Sequence, residues 1–194
     1  MNNNLNALVD LQGRFVNYQT DGLTSDRDPL NINKSYSFFN PKLGLTYKIN
    51  NSNSIYSSFA KANREPNRDD FKNGPNVKNE TLNDFELGWR FKNNAVSLNT
   101  NIYYMLYKNQ LIQTGGLNDV GEYLRENVED SYRLGLEVDA NIILSSKFSV
   151  SPNFTLSSNK IKNFALERDG NSINLGTTNI AFSPDVIAGN SINY

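Results

Sequence analysis

Residues able to do covalent chemistry are few in this chain, and their spacing is loose. There is no histidine and no cysteine. That removes the commonest general base, the commonest transition-metal ligand, thiolate metal sites and disulfides. Glu126, Glu129 and Asp130 crowd one segment, while Glu86 and Glu137 sit in alternating segments. Paired acids can hydrolyse a glycosidic bond. Acids in a polar gap, however, are solvated, and acids on a strand face are expected to meet bases such as Arg90 and Arg133. Asp169-Gly170-Asn171 and Asn118-Asp119 offer oxygen ligands to calcium, without the full spacing or closing glutamate of an EF-hand loop. Turn chemistry accounts for both. Gly115-Gly116 lacks a phosphate-loop context and reads as a loop apex. Arg64 could hold an anion; at a strand–loop junction it reads as structural. The chain is expected not to be an enzyme, with no catalytic, cofactor-binding or metal-binding residue and no cofactor.

The element that positions most of these groups is Leu82–Leu111, two long strands around Lys92-Asn93-Asn94. Phe85, Leu87, Trp89 and Phe91 fall on one face of the first arm, and Asp84, Glu86, Gly88 and Arg90 on the other. In the second arm Val96, Leu98, Thr100, Ile102, Tyr104 and Leu106 oppose Ser97, Asn99, Asn101, Tyr103 and Tyr107. Only a period of two separates these sets; a helical period of 3.6 mixes them. Strands of soluble domains run to roughly 5–6 residues, whereas a tilted membrane-spanning strand needs about 9–11. Both arms are of the longer kind. Apolar groups toward lipid and polar groups toward a wet lumen is the transmembrane β-barrel pattern. A soluble β-sandwich also alternates, with its polar face outermost.

Further strands are predicted over Leu5–Tyr18, Phe38–Ile49, Ser54–Ala62, Ser131–Ile143 and Lys147–Asn159, and from Asp185 onward. The intervals between them alternate in length. Those near 20–37, 63–81, 112–127 and 160–184 are long and polar; those near 50–53, 92–95 and 144–146 are short. Asp21-Gly22 and Asp28-Pro29 are read as turn-formers in the first gap. Pro41 cannot donate to a ladder and is expected near a strand end or bulge. Loops sorted by parity suit an up-and-down membrane barrel with short turns at one end, and long structureless loops are unusual in compact soluble domains. A net charge of −1 gives no nucleic-acid footprint. No run approaches the roughly 20 apolar residues of a spanning helix. Met1 is followed by Asn2-Asn3-Asn4 rather than a signal peptide, so the chain is read as an internal piece of a longer exported protein.

Two segments resemble the barrel of TonB-dependent outer-membrane receptors. Ile55–Pro66 resembles that family's strand entering an extracellular loop, through Tyr56, Ser58, Phe59, Arg64 and Pro66. Gly74–Phe91 resembles its Asn-Pro-x-Leu-Lys-Pro-Glu stretch and following strand, through Asn76, Val77, Lys78, Glu80, Phe85, Glu86, Leu87 and Gly88. Asn79 stands where the family usually has proline. Gly135-Leu136-Glu137-Val138 is similar to a later strand, and Tyr107-Lys108-Asn109-Gln110 to the strand end before it.

The resemblance implies a barrel of about 22 strands with an N-terminal plug domain that contacts the TonB energy-transducing protein. The fold expected for residues 1–194 is therefore all-β: an antiparallel up-and-down transmembrane β-barrel segment of about eight strands, part of the C-terminal half, without plug or signal peptide. The implied function is import of a scarce nutrient, such as a ferric siderophore, cobalamin or an oligosaccharide, across the outer membrane of a Gram-negative bacterium. The implied partners are outer-membrane lipid, the rest of the barrel and plug, TonB through the plug, and the nutrient ligand, with no nucleic acid. Tyr103, Tyr104 and Tyr107 could stack on a sugar or siderophore; a girdle at the membrane interface is the commoner use of such aromatics. The ligand-binding residues are unknown. The alternatives are a complete eight-stranded outer-membrane barrel or a soluble β-rich surface-binding domain without transport activity, and, after these, an outer-membrane hydrolase.

Overall fold

Alternation of apolar and polar residues becomes strand along most of the chain. The computed structural model describes residues 4–23, 27, 29–73, 76–117, 121, 123–168 and 171–194. Among these lie β1 (Leu5–Leu23), β2 (Pro29–Lys48), β3 (Asn53–Arg64), β4 (Glu80–Lys92), β5 (Val96–Leu117), β6 (Tyr123–Ser145), β7 (Phe148–Arg168), β8 (Asn171–Asn179) and β9 (Val186–Asn193). All belong to one sheet in sequence order from β1 to β8, with β9 also on β7. Every pairing is antiparallel.

Nine strands stand where about eight were expected, yet the wall is eight strands wide. β8 pairs the far half of β7, from Lys160↔Asn179 onward. β9 pairs its near half, from Leu156↔Val186 to Ser149↔Asn193. They occupy one wall position in tandem. Residues 180–185 interrupt it opposite Ser157–Asn159, held by Ile180 N–H on Asn159 O (3.0 Å) and Ser157 N–H on Asp185 O (2.7 Å).

Three of the four expected long loops are corrected. β1 continues to Leu23 and β2 starts at Pro29; β5 runs to Leu117, taking in Gly115 and Gly116; β8 lies inside the interval 160–184. Asp21-Gly22 is strand, whereas Asp28, Gly74-Pro75, Asn118-Asp119 and Asp169-Gly170 lie outside the described residues. The reason is physical. What is buried on these extensions is set by partners distant in sequence, Leu30 and Ile32 under Phe71 and Ile112 and Val128 beside Ile180, which local alternation does not reveal. The backbone ladder makes them strand. The interval 63–81 remains largely irregular between Arg64 and Glu80, with a short 3-10 turn at Asp70–Asn73.

The opposite end is tight, as expected. Asn50 Oδ1 accepts from the Ser52 N–H at 2.9 Å, and Asn93 Oδ1 from Ala95 and Val96 at 2.9 and 2.7 Å. These Asx turns close the hairpins locally. Pro41 stands inside β2, in unbroken register with Leu11 of β1, rather than at the strand end or bulge expected for it. The β2–β3 pairing stops at Lys42, beside Pro41, and the β6–β7 pairing skips Pro152. At both sites the missing donor falls where a ladder lapses.

Register sets the faces. Phe59↔Phe85↔Tyr104↔Leu134 and Ser57↔Leu87↔Ile102↔Leu136 run as rows across four strands. This face is open: Phe85 is 45% exposed, Leu87 57% and Phe15 82%. Buried apolar residues gather instead in two small clusters, Ile112, Val128, Ile161 and Ile180 in one, Leu30, Ile32 and Phe71 in the other. Both lie toward the tall-hairpin end, so no central core seals the wall as a sandwich would require.

Candidate functional site: the polar face and its inward-folded loop

The face opposite the apolar rows is built from cross-strand pairs. Tyr56 is paired with Gly88, and Tyr103 with Gly135. In each pair the tyrosine ring lies across the glycine, so that a Cβ there would overlap the ring. Tyr56 thereby crosses β4 and donates its hydroxyl to Asn101 Oδ1 on β5 at 3.1 Å. The Arg90 guanidinium sits 4.1 Å from the Tyr56 ring centroid, a cation–π contact. Beside it Ser58 Oγ donates to Glu86 at 3.0 Å. Arg133 Nη1 donates to Ser183 Oγ at 2.9 Å and, more weakly, to Asn159 at 3.4 Å.

These contacts revise the expected pairing of strand acids with strand bases. Glu86 takes a hydroxyl, Arg90 an aromatic ring, and Arg133 neutral oxygens. Asp130 meets Lys108 at 2.6 Å. No group of three or more acidic side chains among the described residues is arranged to hold a metal. The tyrosines also divide. Tyr104 is on the apolar face, edge-to-face with Tyr132 at 6.0 Å, as a girdle residue would be. Tyr103 and Tyr107 belong to the polar face and line no lipid-facing surface.

The β3–β4 connection does not extend away from the wall. Asp70 and Phe71 have no exposed surface. Phe71 packs on Leu30 and Ile32 of β2 and stacks with Tyr18 of β1 at 5.6 Å. Asp70 faces Arg64 and Arg125 at 3.5 Å each. Arg64 is also bonded to Glu80, whose other oxygen accepts the Leu111 N–H. Burial works against the Arg64 charge, but the bond to Glu80 and the charges of Glu80 and Asp70 outweigh it and hold the guanidinium above its ordinary range. Asn76, Val77, Lys78 and Glu80, the residues of the second resemblance, are thus the returning arm of this loop. Sequence reasoning missed Asp70, Phe71 and Arg125: nothing in the alternation marks them.

A hollow of about 290 Å³ opens nearby, lined by Ile112, Arg125, Arg133, Ile180 and Phe182 among others. Phe182 projects there from the strand interruption with φ +55°, and is 85% exposed.

A single curved antiparallel wall, apolar outside and networked with charge inside, defines the chain as a section of a transmembrane β-barrel. It belongs to the TonB dependent receptor-like β-barrel family, whose sequence profile matches residues 2–194. No curated protein sequence matches it significantly. Among solved structures it is similar to the siderophore receptor PiuA from Acinetobacter baumannii, at 21% identity and TM-score 0.70, covering 97% of this chain and 28% of that one. The ferric yersiniabactin uptake receptor FyuA from Yersinia pestis is similar over 97% of this chain and 28% of its own length, at 17% identity and TM-score 0.64. The copper transporter OprC matches 83% of this chain and 27% of its own, at 13% identity and TM-score 0.69. At these identities the likeness is one of fold. The chain spans under a third of the length of each.

Proposed function

We propose that this chain is part of the wall and outer rim of a receptor that imports a scarce nutrient across the outer membrane of a Gram-negative bacterium. A ferric siderophore is the ligand class we favour. The observation that carries the reading is the division of the sheet: open rows of Leu, Phe and Trp on one face, and Arg, Glu, Asn and Tyr networks on the other. Outer-membrane lipid would cover the first. The rest of the barrel would continue from the open edges, and a plug domain carrying the TonB contact would stand against the second. Family membership and the names of the similar siderophore receptors support this reading. The same comparisons weigh against a complete small barrel, a soluble domain and a hydrolase. The groups described on the polar face position and attract.

Deleting the parent gene tests the function. Growth of the deletion strain is expected to fail on one ferric siderophore supplied as sole iron source, and to return with the gene in trans. Unchanged growth across hydroxamate, catecholate and mixed siderophores, with a defect on cobalamin or an oligosaccharide instead, would move the ligand class.

A further inference from the structure

The described residues of the β3–β4 loop are fastened at several points. Arg14 of β1 is bonded to Glu65 and also donates to Asn63 O. Phe71 is seated on β2 and β1. Asp70 meets Arg125 of β6. On the return, Asn127 of β6 brackets Lys78, accepting its N–H at 2.8 Å and donating to its carbonyl at 3.0 Å. β2 and β6 are four strand spacings apart, about 19 Å along a flat sheet. The same short turn packs on β2 and lies against β6, so the wall bends around the loop and the loop spans its concave side.

We propose that this loop is a fixed brace across the outer mouth, and that Asp70 is the positioning residue that locks it. A carboxylate without exposed surface is stable only when paired, and it is paired here from two directions: Arg64 at the base of the loop and Arg125 from β6. Asn67 completes the lock. Its N–H donates to Asp70 Oδ2 at 2.9 Å, and its Oδ1 accepts the Asp70 N–H at 3.0 Å. The brace therefore holds the β1–β4 side of the mouth in one shape. Ligand approach is left to the side of the hollow beside Arg133 and Phe182. This role in capture rests on the transport reading above; the rigidity of the loop does not.

Two measurements on the full-length protein in outer membranes separate these. Spin labels at Arg68→Cys on the loop and Glu129→Cys on β6 are expected to give one narrow distance distribution. Asp70→Asn should broaden it, and Arg125→Gln should do so on its own. The pair together should broaden it by less than the sum of the two single effects, because the Asp70–Arg125 contact is lost in each. Proteinase K added to intact cells should cut between residues 65 and 79 at least about tenfold faster in either variant, since cleavage follows the open fraction. Arg125 is partly exposed, so its variant reports even if Asp70→Asn fails to assemble. A broad distribution in the unsubstituted loop, or no change in Arg125→Gln, overturns the brace. The capture role adds slower growth of Arg125→Gln cells on limiting ferric siderophore. Full growth with a loosened loop overturns that role alone, and a parent deletion without any growth defect overturns the transport reading while leaving the distances to stand.

Discussion

Gly88 and Tyr56 act as one unit. The glycine leaves room for a ring that crosses its strand, and the ring carries a hydroxyl to Asn101 and a face to Arg90. Gly88→Ala is expected to expel the ring and to break both contacts, at a cost of about 1–3 kcal/mol, the usual range for overpacking a tight site. The urea midpoint for loss of the heat-modifiable folded band reads this directly. Adding Tyr56→Ser should recover part of the loss, because the clash goes with the ring. A Gly88→Ala protein as stable as the parent would mean the ring does not rest there. Gly135 under Tyr103 should behave alike. Tyr56, Gly88 and Gly135 were legible as motif residues, but their partnership was not, since it depends on register between strands. Asp70 and Arg125 lie 55 positions apart and left no signal at all.

Each strand of the wall must satisfy two solvents at once, and this makes it legible. Where lipid and lumen flank the same residues, apolar and polar groups alternate, and the predicted centres of β1 to β7 follow. Beyond these centres burial is set by partners distant in sequence, Leu30 and Ile32 under Phe71 and Ile112 and Val128 beside Ile180, and a short stretch of sequence carries no sign of them where β1, β2, β5, β6 and β7 continue. β8 is hidden for the same reason. Tertiary pairing, not local pattern, makes those residues strand. The two-solvent argument has a quantitative consequence in β4. Leu87 stands in the middle of its apolar row, between Phe85 and Trp89. Leu87→Arg is expected to destabilise folding into lipid vesicles by roughly 2–4 kcal/mol, the range for a cation on the lipid face near mid-depth. On the opposite face Glu86→Gln keeps the acceptor for Ser58 and is expected to change little. Equal effects of the two substitutions would mean that this row does not meet lipid.

At the scale of the molecule the two ends of the wall are unlike, and the difference predicts which compartment each faces. One end has the Asx-closed turns around Asn50 and Asn93, which leave almost no chain outside the strands. The other has tall hairpins, the two apolar clusters and the braced loop. Barrels of this kind place short turns in the periplasm and long connections outside the cell. The short turns carry too little surface to serve capture. This section of the wall has no cysteine, so a thiol introduced here is read as the signal gained over the unsubstituted parent. Asp21→Cys near the tall end of β1 is expected to react with a membrane-impermeant maleimide on intact cells. Asn93→Cys in the β4–β5 turn should react only after the outer membrane is permeabilised. Labelling of Asn93→Cys on intact cells, with Asp21→Cys protected, would invert the wall and place the brace on the side away from any incoming ligand.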